Sequence, residues 1–130
     1  MITAFLMMLA TSTSEMPAVP TRLDTVPVIE NWQGRSLSPR WSFDAQKVYR
    51  RGECHSAVNW RGSQLLEVDV LFLLAGDGTL LKVVPVNSEC AEIDNFIGKR
   101  VTERLKSSFP ASGSAEPQWM KSQVRFLWSD

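Results

Sequence analysis

Long apolar runs are missing from this chain. None reaches the roughly 20 residues that a membrane helix needs, so no lipid-spanning segment is expected. Histidine is almost absent: one imidazole and two cysteines leave little material for a zinc site of four protein ligands. No C-x-x-C pair occurs, so thiol redox catalysis has no support. Net charge is missing as well. Lys and Arg number 14 and Asp and Glu number 14, and the basic excess that nucleic-acid binding draws on is not there. At 130 residues there is room for one domain and not for most large enzyme folds. What is present is an ordinary globular mix, 44% hydrophobic and 22% charged. A chain of this size buries about two thirds of its unfolded surface, enough for a core of its own.

The N-terminus suggests export. Ile2 to Ala10 is about the length of a signal-peptide apolar region, and small residues follow at Ala10, Ser12, Ser14 and Ala18. Residues 1–18 are read as a signal peptide, although no basic head precedes the apolar stretch. The alternative is a first helix or strand packed on the core. Residues 19–40, with Pro20, Pro27 and Pro39, read as a Pro/Ser-rich arm, and 41–130 as the folded domain. Cys54 and Cys90 form an even pair, which in an oxidising compartment reads as one disulfide. The alternative is two buried thiols.

Patterning is strongest after Gly62. Leu66, Val68, Val70, Phe72 and Leu74 share one face of a strand over 65–75. Glu67 and Asp69 point the other way, followed on that side by Leu71 and Leu73, so the second face turns apolar halfway along. Ala75-Gly76-Asp77-Gly78-Thr79 is a turn, and Leu80 to Val86 a second strand whose Pro85 belongs near an edge. A helix follows, with Asp94 as its N-cap and a buried stripe of Ile93, Phe96, Ile97, Val101 and Leu105. Gly98 suggests close packing of that helix on the sheet. Gln123 to Trp128 is a last strand, with Val124, Phe126 and Trp128 on one face. His55 to Arg61 reads as a short helix ended by Gly62. The fold class is therefore α+β: a small antiparallel sheet of about three strands with a helix packed on one face.

Few residues offer chemistry. Gly76-Asp77-Gly78-Thr79 is similar to the phosphate loop of NAD and diacylglycerol kinases. However, Ala75 replaces a glycine, and a β-branched, proline-bearing segment follows where a phosphate-holding helix should start. The turn reading is preferred. Cys54-His55 has no positioned acid or oxyanion donor beside it. Glu67 and Asp69 read as the solvent side of a sheet, and the five tryptophans as core and interface residues. No catalytic residue, metal or cofactor is assigned.

The pattern as a whole resembles the TonB C-terminal domain family. The carrying residues are Gly62, Leu66 to Phe72, Gly76-Asp77-Gly78-Thr79-Leu80, Val83, Asn87 to Cys90, Ile93-Asp94, Arg104 to Pro110, and Val124 to Trp128. The C-terminal domain of TolA is a near relative. The family's Tyr-Pro motif before its first helix is lacking, as are its membrane anchor and long spacer. The resemblance implies a periplasmic protein-interaction module rather than an enzyme. It implies a protein or peptide partner, such as an outer-membrane receptor, with a role in transport. The partner would add a strand beside Gln123, Val124, Arg125, Phe126, Leu127 and Trp128. A homodimer is left open, as are two other functions: a small secreted protein stabilised by its disulfide, and a nucleotide-binding enzyme.

Overall fold

A computed structural model of the chain describes residues 16–29, 39–105 and 109–129. The expected signal segment lies almost wholly outside them. The described elements are helix α1 (Pro39–Arg50), strands β1 (Val58–Trp60), β2 (Ser63–Leu74) and β3 (Leu80–Pro85), helix α2 (Ala91–Leu105) and strand β4 (Gln118–Ser129). The α+β class is borne out, with four antiparallel strands where about three were expected, and with two helices, of which only α2 lies where a helix was expected.

The strand β2 is the axis of the sheet. One of its edges pairs with β4 over all 12 residues, from Ser63↔Ser129 to Leu74↔Gln118. Its other edge is shared: β1 pairs near Ser63–Leu65 and β3 near Val70–Leu74. The β1–β2 turn is Arg61-Gly62, both at positive φ, the conformation a two-residue hairpin demands and glycine accepts without strain. The helix expected over 55–61 is thus a strand and its turn. Its three strand residues are all exposed, so alternation has nothing to register.

The even-numbered side chains of β2 and β4 form the front face, under the helices. Val68, Val70, Phe72, Val124 and Phe126 are fully buried there, as are Ile93, Ile97 and Val101 of α2. Helix α1 contributes Trp41, Ala45 and Val48 at spacings of four and three. Asp94 is not the N-cap of α2; it lies in the first turn. Ser88 serves that end instead. Its Oγ accepts the Cys90 N–H (3.0 Å) and donates to Asp94 Oδ1 (2.6 Å). Ser88 is buried, and its carbonyl accepts Ser56 Oγ–H (2.6 Å), so its hydroxyl and its carbonyl are both paired. Nothing lies within 4 Å of where a Gly98 Cβ would stand, so Gly98 does not mark a close helix–sheet approach.

The expected disulfide is present. Cys54 and Cys90 are bonded with Cα atoms 5.6 Å apart, joining the segment after α1 to the start of α2. Alongside it, Arg51 pairs with both Glu53 and Glu92 at 2.7 Å, and its hydrogen bond holds the Glu53 carboxyl below the usual range.

The back face carries the odd-numbered side chains. Leu71 and Leu73 are fully buried there. Trp119 and Lys121 stand opposite these leucines in register. Both hold the arm: Trp119 Nε1–H donates to Pro17 O (3.3 Å) and Lys121 Nζ to Leu23 O (2.6 Å). Val26 is buried, and Ile29 joins the main core. The described part of the expected arm is therefore a layer of the fold.

Candidate functional site

Strand β4 lies at the border of the sheet, and which backbone groups face outward follows from three hydrogen bonds. Lys121 N–H donates to Pro27 O, and Lys121 O accepts Ile29 N–H, both at 2.9 Å. Leu127 N–H donates to Ser42 Oγ of α1 at 3.0 Å. Outward-facing groups recur at every second residue, and the β2–β4 register is unbroken. Gln123 and Arg125 therefore present their N–H and C=O groups to the same edge.

That edge is partly occupied. The arm takes Lys121 through a parallel bridge between Val28 and Lys121. Helix α1 takes the far end, through Ser42 on Leu127 and through Gln46 Nε2–H on Ser129 O (2.8 Å). Among the described residues, no backbone group pairs with Gln123 or Arg125 on the outer side. From Lys121 to Leu127 a strand rises about 20 Å.

The six residues singled out from sequence divide cleanly. Val124, Phe126 and Trp128 are buried on the front face. Gln123, Arg125 and Leu127 stand on the back face. Arg125 pairs with Glu67 across the strands (Nη2–Oε2 2.6 Å), and Gln123 Nε2–H reaches Asp69 Oδ1 (3.2 Å). Asn87 continues the ladder where β3 ends. Its Oδ1 accepts the Asp69 N–H (2.7 Å), and its Nδ2–H donates to Asp69 Oδ2 (2.8 Å). Every back-face carboxylate here has a partner.

The remaining sequence candidates are structural in these surroundings. The 75–79 turn is closed by Ala75 N–H to Thr79 O and Gly78 N–H to Ala75 O, each 2.9 Å. Gly76 O accepts the N–H groups of Ser112 and Gly113. A Cβ at Gly76 would collide with the Ser114 carbonyl, and one at Gly78 with that of Phe109. Protein backbone thus fills the space that a phosphate would need, and a strand rather than a helix follows. Asp77 Oδ1 accepts the Thr79 N–H (2.9 Å), which holds its carboxyl below the usual range. A carboxylate with a lowered folded-state value adds stability above its unfolded value and loses it as pH falls through the lowered one. Asp77→Asn keeps an acceptor oxygen at this position. Its melting temperature should stay close to wild type at neutral pH, with a slightly smaller loss below about pH 4. A large neutral-pH loss on thermal melting would contradict a turn-only role.

His55 borders an open cavity of about 360 Å³ beside Tyr49, Arg50, Gln64 and Trp128. Its neighbour Cys54 has its sulfur in the disulfide and offers no nucleophile. Among the described residues, no cluster of His, Cys, Asp and Glu could hold a metal ion, and no helix is long and apolar enough to cross a membrane.

The sequence leaves open that the arm of residues 11–40 covers the strand edges, and Pro27 and Ile29 do so at Lys121; Ser42, which takes Leu127, was missed. Val26-Pro27-Val28-Ile29 is an apolar knot in the arm and was a usable signal; Ser42 had none. Compared with known proteins, the chain matches no family model, no curated protein and no solved structure.

Proposed function

We propose that this chain is an exported protein-interaction module whose β4 edge receives an extended partner peptide at Gln123 and Arg125. One observation carries the reading: a segment of the chain already pairs with this edge at Lys121, backbone to backbone. The edge is therefore shaped to accept an extended strand, and the next two outward-facing residues continue it. The Cys54–Cys90 disulfide supports an oxidising compartment. The succession of hairpin β2–β3, helix α2 and closing strand β4 supports the TonB C-terminal-like reading, with the periplasm as the compartment and an outer-membrane receptor as the partner.

The site binds through main-chain groups, so side-chain loss and donor loss have different effects. A photo-crosslinking residue at position 123 captures the partner, which then serves as the titrant. Arg125→Ala removes only an exposed ion pair and should change affinity by less than about threefold. Arg125→Pro removes the outward N–H and should weaken binding about tenfold or more, with circular dichroism confirming that both variants are folded. Equal binding by the two, or no capture from the exporting compartment, would favour the disulfide-stabilised structural protein instead.

A further inference from the structure

The cavity of about 360 Å³ that His55 borders lies at the β1 end of the front face. Its floor is sheet. Gln64 of β2 stands in register between Asn59 of β1 and Trp128 of β4, and Ala57 lies just before β1. Tyr49 and Arg50, from the last turn of α1, line it on one side, and Cys54 and His55 on another. These walls are held in place. Cys54 is bonded to Cys90, the Tyr49 hydroxyl and Ser56 Oγ are 2.6 Å apart, and the Tyr49 and Trp128 ring centroids are 5.2 Å apart. A ligand entering a cavity built in this way has little left to order.

We propose that this cavity binds a small organic anion, a carboxylate carried on a planar ring. Charge decides the class. Among the described residues no acidic side chain lines the cavity. The Arg50 guanidinium has no carboxylate partner among them, whereas Arg22, Arg51, Arg100 and Arg125 each have one. Its planar fork matches a carboxylate with two parallel hydrogen bonds. His55 has no hydrogen-bond partner among the described residues either, and an imidazole offers an N–H in either charge state. The negative end of α1 is capped, because Lys47 O and Tyr49 O accept the Arg51 and Gly52 N–H groups. A cation would meet Arg50 with nothing to neutralise it. A neutral sugar would need an open ring face to stack on, and Trp128 is only 7% exposed. The volume is near the lower end of the range for small-ligand sites, about 300–1,000 Å³, which suits a one- or two-ring acid. The site uses none of the outward backbone groups of Gln123 and Arg125, so it does not depend on the peptide reading.

Titration of the full, isotope-labelled chain with naphthoate, followed by amide chemical shifts, tests the proposal. Saturable binding is expected, with the largest shifts at Arg50, His55 and Gln64. Naphthamide has the same shape without the charge and should bind at least about fivefold more weakly. Arg50→Ala should weaken naphthoate by about fivefold to tenfold. Arg104→Ala, at an exposed position of α2, should leave the constant unchanged, and circular dichroism checks that each variant is folded. No saturation by about 10 mM naphthoate would overturn the proposal. So would equal binding of naphthamide, or an affinity that Arg50→Ala leaves intact. Largest shifts at Val58 and Leu127 would do so too, because they would place the ligand on the back face.

Discussion

Leu71→Ala should lower the unfolding free energy by about 2–5 kcal/mol, the cost of emptying a core leucine site. The size of the effect follows from the arm. Leu71 belongs to the back face, where Glu67 and Asp69 precede it on the same strand, and a leucine left on an open sheet face would lose about 0.5 kcal/mol or less. Leu71 is instead fully buried, opposite a Lys121 that holds Leu23 O of the arm. The comparison that isolates the arm uses a chain beginning at residue 30. In that background the same substitution should cost little, because the leucine is already wet. Urea unfolding of the four proteins measures the coupling, and equal costs in the two backgrounds would mean that the arm does not cover Leu71.

Removing the disulfide should have a comparable effect. Cys54 and Cys90 are 36 positions apart and close a loop in the unfolded chain. On the chain-entropy estimate, opening that loop costs about 3.8 kcal/mol, which is an upper value. A domain of this size holds about 5–15 kcal/mol in total, so the Cys54→Ser/Cys90→Ser protein should unfold at a clearly lower urea concentration. Its melting temperature should fall by about 10 °C. The native contacts around the bond persist, among them Arg51–Glu92 and Ser56 Oγ to Ser88 O, so the folded spectrum should be retained at low temperature. An unchanged urea midpoint would place the cross-link outside the region that unfolds cooperatively.

What could be read from the sequence was what repeats with a clear period. The strands around Val68 and Val83 and the helix bearing Ile93, Ile97 and Val101 announce themselves by alternation or by three-four spacing. Strand β4 was legible only from Gln123. Its first five residues run from Gln118, just after Pro117, and place Lys121 and Ser122 mid-strand, a weak pattern. Helix α1 was hidden because its stripe of Trp41, Ala45 and Val48 is short and begins beside Ser36, Ser38 and Pro39. The expected edge was correct as a strand, but its coverage depends on Ile29, marked only by the apolar run Val26 to Ile29, and on Ser42, which is distant in sequence and carries no local mark. The apolarity of Leu71 and Leu73 on an otherwise polar face was visible from the start. Its cause, a covering arm, is a tertiary fact.

Amide hydrogen exchange of the intact chain, read residue by residue along β4, tests the account most directly. Lys121 should exchange slowly, because Pro27 O accepts its N–H, and Ser122 and Val124 should be slow because they face β2. Gln123 and Arg125 should exchange fast in the free protein and slow down when the captured partner is bound. Protection of Gln123 and Arg125 equal to that of Lys121 in the free protein would mean that the edge is already filled, and would contradict strand addition at this site.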